Sequence, residues 1–175
     1  MSQRMIPDPV KLRQMAEARL DENYKFRQFL KHHRSLSSEE VDSVVSETAE
    51  KVWEEMDCTA CANCCRVVVP TFCQDDIDRL AGRLGISSSE FVSKYLKSAE
   101  SPEDGPWIIR ERPCPFLKEN RCSVYEHRPT NCRDYPYLGK PAFTSRTLRM
   151  IDRLGECPIV FEVWEELKRA TGFRR

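Results

Sequence analysis

Apolar residues recur at three- and four-residue intervals along most of this chain, the spacing of amphipathic helices, and gather in short β-branched runs near its middle, the mark of strands. Residues 10–31 predict a helix that opens after Pro9, with Leu12, Met15, Ala16 and Leu20 on one face and Phe29 and Leu30 near its end. His32 and His33 follow it and read as a solvated helix terminus. The next helix is signed at its start. Ser37 and Glu40 form an S-x-x-E capping box, and Leu36 and Val41 are placed as its hydrophobic staple. Val41, Val44, Val45, Thr48, Ala49, Val52, Trp53 and Met56 then trace one face. Glu39, Asp42, Glu47, Glu50 and Glu54 cover the other, a solvated acidic surface that also offers itself to a protein partner.

Beyond residue 65 the pattern changes. Arg66-Val-Val-Val-Pro70 predicts a short buried strand. Thr71 and Gln74 predict a capped helix carrying Ile77, Leu80, Ala81 and Leu84, with Gly85 to end it. Ser87 and Glu90 open another, stapled by Ile86 and Phe91 and continued by Val92, Tyr95 and Leu96. Residues 98–106 have the composition of a loop. Trp107-Ile-Ile-Arg110 predicts a strand and Cys114-Pro-Phe-Leu117 a second, with residues 118–121 as the tight turn into Cys122-Ser-Val-Tyr125. Residues 126–146, with Pro129, Pro136, Gly139 and Pro141, predict irregular backbone. Pro158 suits the first position of a last helix whose face is Ile159, Val160, Val163, Trp164 and Leu167. The expectation is a mostly α fold with a small β element (α+β), split into an N-terminal helical extension over 1–52 and a cysteine-rich domain over 53–175.

The chain's 175 residues match the usual size of about 100–200 residues per domain. Its 28 basic and 28 acidic residues balance, so no global field points to nucleic acid or a membrane surface. Residues 107–153 are only mildly basic, which argues against a zinc-ribbon nucleic-acid binder. No apolar run approaches the roughly 18 residues needed to span a bilayer, and the N-terminus has no secretory signal. The expected location is the cytoplasm, where thiols stay reduced.

That matters because nine residues are cysteine, and an odd number in a reducing compartment argues for metal ligation over a disulfide framework. Four of them, Cys58, Cys61, Cys64 and Cys65, fall in one eight-residue stretch with spacing C-x2-C-x2-C-C, and Cys73, Cys114, Cys122, Cys132 and Cys157 follow. Thiolates are soft ligands, and two-residue gaps let neighbouring sulfurs converge on zinc or an iron–sulfur cluster. Cys64 and Cys65 are adjacent, and in extended backbone they point to opposite sides, so they are expected to serve different metals or different atoms of one cluster. Arg66, Arg121 and Arg133 adjoin ligand cysteines and Arg112 and Arg128 lie close by, placed to offset the negative charge of a thiolate centre. Tyr125, Asp134 and Tyr135 lie inside the same block and are expected to support the ligands by hydrogen bonds. His127 reads as structural. No phosphate loop, H-E-x-x-H or G-x-S-x-G motif is present, so no catalytic residue is identified.

Cys58-x2-Cys61-x2-Cys64-Cys65-Arg66, then Cys114-Pro-Phe-Leu, then Cys122-Ser-Val-Tyr-Glu-His-Arg-Pro-x2-Cys132-Arg-x-Tyr-Pro resemble the cysteine-cluster family named for its CxxCxxCC motif. The resemblance covers roughly residues 53–160, and a related cysteine block occurs in the flagellin lysine N-methylase. It implies zinc or iron chelation by Cys58, Cys61, Cys64, Cys65, Cys114, Cys122, Cys132 and Cys157. Three roles follow as alternatives: an iron–sulfur oxidoreductase or protein-modifying enzyme, a zinc-stabilised interaction module, or a thiol redox sensor. Cys73 falls outside the pattern and is expected to be a buried structural thiol.

Overall fold

The computed structural model describes residues 6–33, 35–57, 61–100 and 106–174. In chain order its helices are α1 (Pro9–Glu17), α2 (Leu20–Lys31), α3 (Ser38–Glu55), α4 (Cys64–Val67), α5 (Gln74–Leu84), α6 (Ser88–Tyr95), α7 (Thr130–Asp134), α8 (Phe143–Arg153) and α9 (Pro158–Ala170). The strands are β1 (Thr71–Phe72), β2 (Leu96–Ser98), β3 (Trp107–Ile109), β4 (Leu117–Lys118) and β5 (Arg121–Cys122). The fold is mostly helical with small antiparallel sheets. Two compact units emerge, one of Met1–Cys58 with Pro136–Arg175 and one of Thr59–Tyr135. The first unit therefore joins segments from the N- and C-terminal parts of the chain.

In the first unit α1, α2, α3, α8 and α9 surround a core of Leu12, Phe26, Val45, Phe143, Met150, Val163, Trp164 and Leu167, all essentially removed from water. Each such large side chain contributes about 1.5–3 kcal/mol through burial. The single helix expected over 10–31 is two. It breaks at Ala18–Arg19, and the break re-aims the apolar stripe: Leu20 is 43% exposed while Asn23, Phe26 and Leu30 turn inward. Arg19 at the break pairs with Glu165 at 2.8 Å. The Ser37–Glu40 capping box forms, but Trp53, expected on the apolar face of α3, is 40% exposed.

Helix α8 was not foreseen, since residues 126–146 predict irregular backbone. Its buried positions Phe143, Thr147, Met150 and Ile151 do follow helical spacing. What is missing locally is a start signal, because Ala142 is left-handed (φ 57°) and supplies no side-chain cap. Asp42 of α3 supplies one from 100 residues away, accepting from the N–H of Ala142 at 2.7 Å and of Phe143 at 2.8 Å. Arg146 then ties down the preceding loop by donating to the carbonyls of Tyr137, Lys140 and Pro141.

The second unit is built on a three-stranded sheet of order β1–β3–β2, with Thr71 opposite Ile108 and Leu96 opposite Ile109. α5 and α6 close over it around Phe72, Ile77, Leu80, Phe91, Leu96, Ile109 and Phe116. The strand expected over 66–70 is displaced to 71–72. Arg66 and Val67 donate to the Asn63 carbonyl instead, winding Cys64–Val67 into one helical turn. The β preference of a three-valine run is weak enough to yield to such local bonds. Helix α5 is capped by Cys73 with Asp76, not by Thr71 with Gln74, and ends as expected at Gly85 (φ 69°). The Ser87–Glu90 box of α6 also forms. β4 and β5 pair as the expected hairpin, but its turn is only Glu119-Asn120, both at positive φ (47° and 66°). Part of the 98–106 loop lies outside the described residues. No helix among the described residues is long and apolar enough to cross a membrane.

Candidate metal centre

Three short segments carry five of the described thiols of the second unit. Helix α4 brings Cys64 and Cys65, the turn before β4 and the end of β5 bring Cys114 and Cys122, and α7 brings Cys132. The first two segments are joined directly, since the Cys114 N–H donates to the Cys65 carbonyl at 2.8 Å. The hairpin register sets Cys122 opposite Leu117, and the Leu117 N–H in turn donates to the Cys114 carbonyl at 2.9 Å. None of the described cysteines is in a disulfide.

The amides around these sulfurs point at them. Phe116 and Leu117 donate to the Cys114 thiol, and Val124 donates to the Cys122 thiol. Amide donation to sulfur stabilises the thiolate, the form that ligates metal. Burial acts the other way and is the larger influence on three of the thiols. It pushes Cys114 up to about 11 and Cys132 up to about 12, and it raises Cys122. Mutual repulsion adds to the rise: Cys132 feels Cys114, Cys65 and Cys122, and Cys114 feels Cys65 and Cys122. Cys65 moves oppositely, to about 7, because the Cys64 thiol donates to it and outweighs burial, with Arg66 helping. Four sulfurs thus share one electrostatic field, and a cation among them would offset the burial and mutual repulsion that hold Cys114, Cys122 and Cys132 protonated. Among the described residues, no three His, Cys, Asp or Glu side chains are yet arranged to hold a metal ion. The thiols are gathered without being closed into a coordination shell.

The expected ligands divide between the units. Cys61, Cys64, Cys65, Cys114, Cys122 and Cys132 belong to the second, whereas Cys157 is buried in the first as the residue preceding α9. Cys58 lies outside the described residues. The opposed placement of Cys64 and Cys65 is corrected: they stand on a helical turn, and their thiols hydrogen-bond each other. Cys73 is exposed, not buried, and caps α5.

The arginines are occupied more with backbone than with sulfur. Arg66 donates to the Cys61 carbonyl at 3.3 Å and to the Asn120 side chain, and Arg112 to the Val67 carbonyl at 3.1 Å. Arg128 stacks over the Tyr125 ring at 3.8 Å, donates to the Tyr125 carbonyl at 2.8 Å, and still lowers Cys122 and Cys132 through its charge. Arg133 and Asp134 follow Cys132 on α7, and Tyr135 terminates that helix.

The model of the CxxCxxCC family, described as a "putative zinc- or iron-chelating domain", matches residues 57–156. The chain belongs to the CxxCxxCC family. No match to it was found among curated proteins or among solved structures. The matched residues span both cysteine blocks.

Two residues of the site were not singled out in the sequence. Asp76 and Arg79 of α5 bind the chain just before Cys132. Asp76 looks like an ordinary first-turn acid of a helix, and only its place at the third helical position, where a capping box puts an acid, hinted at more.

Proposed function

We propose that this chain chelates zinc or an iron centre through Cys65, Cys114, Cys122 and Cys132, with Cys61 and Cys64 close to Cys65 in sequence and Cys58 a further candidate from the same motif. The observation that carries the reading is the set of amide donors aimed at the Cys114 and Cys122 sulfurs, within a group of four thiols that feel one another's charge. Such a donor set is costly to leave without a cation and well suited to a soft one.

Within that reading the metal serves to hold the cysteine loops together, as in a chelating module. The arginines favour this version, because Arg66, Arg112 and Arg128 spend their donors on carbonyls and the Asn120 amide, leaving their charge as background. The cytoplasm suits the free state of the described cysteines. The oxidoreductase, side-chain-modifying and redox-sensor readings draw no particular support from these contacts.

The test is anaerobic purification followed by absorbance and metal and sulfide analysis. Stoichiometric zinc in a colourless protein supports the chelating module. Iron with sulfide and broad absorbance near about 400 nm replaces the structural role with a cluster. A folded protein that contains and takes up no metal overturns the proposal.

A further inference from the structure

Asp76 is only 2% exposed although it belongs to the first turn of a surface helix. A carboxylate so far from water needs partners, and Asp76 has them. It accepts from the Arg79 guanidinium at 2.5 Å, the Thr130 N–H at 3.0 Å, the Thr130 hydroxyl at 3.1 Å and the Cys73 N–H at 3.4 Å. Burial pulls its pKa upward, but these bonds outweigh it and hold the carboxyl below its ordinary range, so it is ionised at neutral pH. Arg79 continues the connection, donating to the carbonyls of His127 at 3.4 Å and Arg128 at 3.1 Å.

All the long-range bonds of this pair end on residues 127–130. That segment leads into α7, whose five residues form little more than one turn and whose N-cap, Pro129, supplies no side-chain bond. A helix this short does not hold itself together. The Asp76 carboxylate takes over the missing cap from 54 residues away, binding the first N–H of α7. Cys132 stands two residues further on, so the position of its thiol follows from where α7 begins.

We propose that Asp76 and Arg79 form a latch on α5 that positions Cys132 for metal chelation. The proposal rests on the chelation reading above and adds to it residues that no cysteine motif contains. The pair acts through Cys132 and touches no metal. Outer partners of this kind typically cost 10–100-fold in metal affinity when lost.

The test uses the full chain loaded with Co²⁺, whose thiolate absorbance reports the number of sulfur ligands and whose affinity is read by chelator competition. Asp76→Asn is compared with two milder variants, Arg79→Lys and Thr130→Val, each first checked for native helix content. The expected result is a loss of about 10–100-fold in Co²⁺ affinity for Asp76→Asn, a smaller loss for the other two, and weaker thiolate absorbance. In a Cys132→Ser background the same substitutions should have no further effect, because the ligand they place is gone. A merely stabilising role predicts equal losses in both backgrounds and would overturn the latch. So would unchanged affinity in all three variants with Co²⁺ bound as in the wild type. If the wild-type protein holds no metal as purified and takes up no Co²⁺, the chelation reading falls, and the latch falls with it.

Discussion

Trp164 in the first unit and Cys132 in the second are each fixed by residues distant in sequence, but by different forces. Trp164 is packed against Phe26 edge-to-face at 5.1 Å and beside Phe143 at 6.2 Å, and its ring N–H donates to Asn23 at 3.0 Å. Close by, Lys168 donates to Glu22, Asn23 and Glu165, each at 2.7 Å. Apolar volume does most of the work there; the Asn23 side-chain oxygen and the Lys168 ammonium are bonded within it, while the Asn23 side-chain nitrogen has no partner among the described residues. Cys132 belongs to a one-turn helix held by a carboxylate and a guanidinium, and its thiol faces other thiols that repel it once ionised. The first unit is complete as a packed core. The second has its backbone clamped in place around a group of thiols, soft donors suited to a cation.

The largest test of that contrast is metal removal. Stripping the loaded protein with a chelator should raise hydrogen exchange at the amides of Cys114, Leu117 and Ser123 by orders of magnitude, since binding energy at such sites is folding energy. The amides of α9 should keep their protection. Equal loss in both units would break the comparison.

Next in size is Trp164→Ala, expected to cost about 3–5 kcal/mol in urea unfolding because it empties the centre of the first core. The folded fraction should still bind metal in the wild-type ratio, and a fall in that ratio would mean that the two kinds of stability are not separate.

A smaller effect, with a defined pH sign, belongs to Asp76. Its carboxyl titrates below the roughly 3.9 of an unfolded aspartate, so the stability it contributes is present above about pH 4 and is lost as pH falls through the folded value. Arg79, the Cys73 amide and Thr130 are the groups facing it. Asp76→Asn should therefore lower stability by about 1–3 kcal/mol at pH 7 and progressively less in acid, as read from urea midpoints. A gap independent of pH would rule out the charge as the cause. Last comes Asp42→Ala, worth about 1 kcal/mol through lost capping of α8, with increased amide exchange at Phe143 as its local signature.

Local signals were legible where a residue's partner is a few positions away. The boxes Ser37–Glu40 and Ser87–Glu90, the Gly85 stop and Pro158 at the head of α9 each specify an element by short-range bonding, and each stands where the sequence placed it. The face of α9 was equally readable, from Ile159 to Leu167. The α1–α2 break, the turn at 64–67 and the start of α8 were not, because each depends on a partner or on competing bonds that periodicity does not encode. In the candidate site the cysteines and the adjoining arginines were legible as chemistry. Which of them share a field was not, since Cys65, Cys114, Cys122 and Cys132 meet only through the Cys114–Cys65 backbone bond, the hairpin and the placement of α7.

By itself, then, the sequence determined the helical class, the main caps and the soft-ligand chemistry of the CxxCxxCC block, because those follow from residue type at fixed short spacing. Tertiary structure alone decided that Asp42 starts α8, that Asp76 starts α7, and that Cys157 is buried in the first unit while six other motif cysteines belong to the second. The physical reason is the same each time. A hydrogen bond to a bare helix end or a field between thiols depends on distance in space, and 54 or 100 residues of chain carry no local record of it.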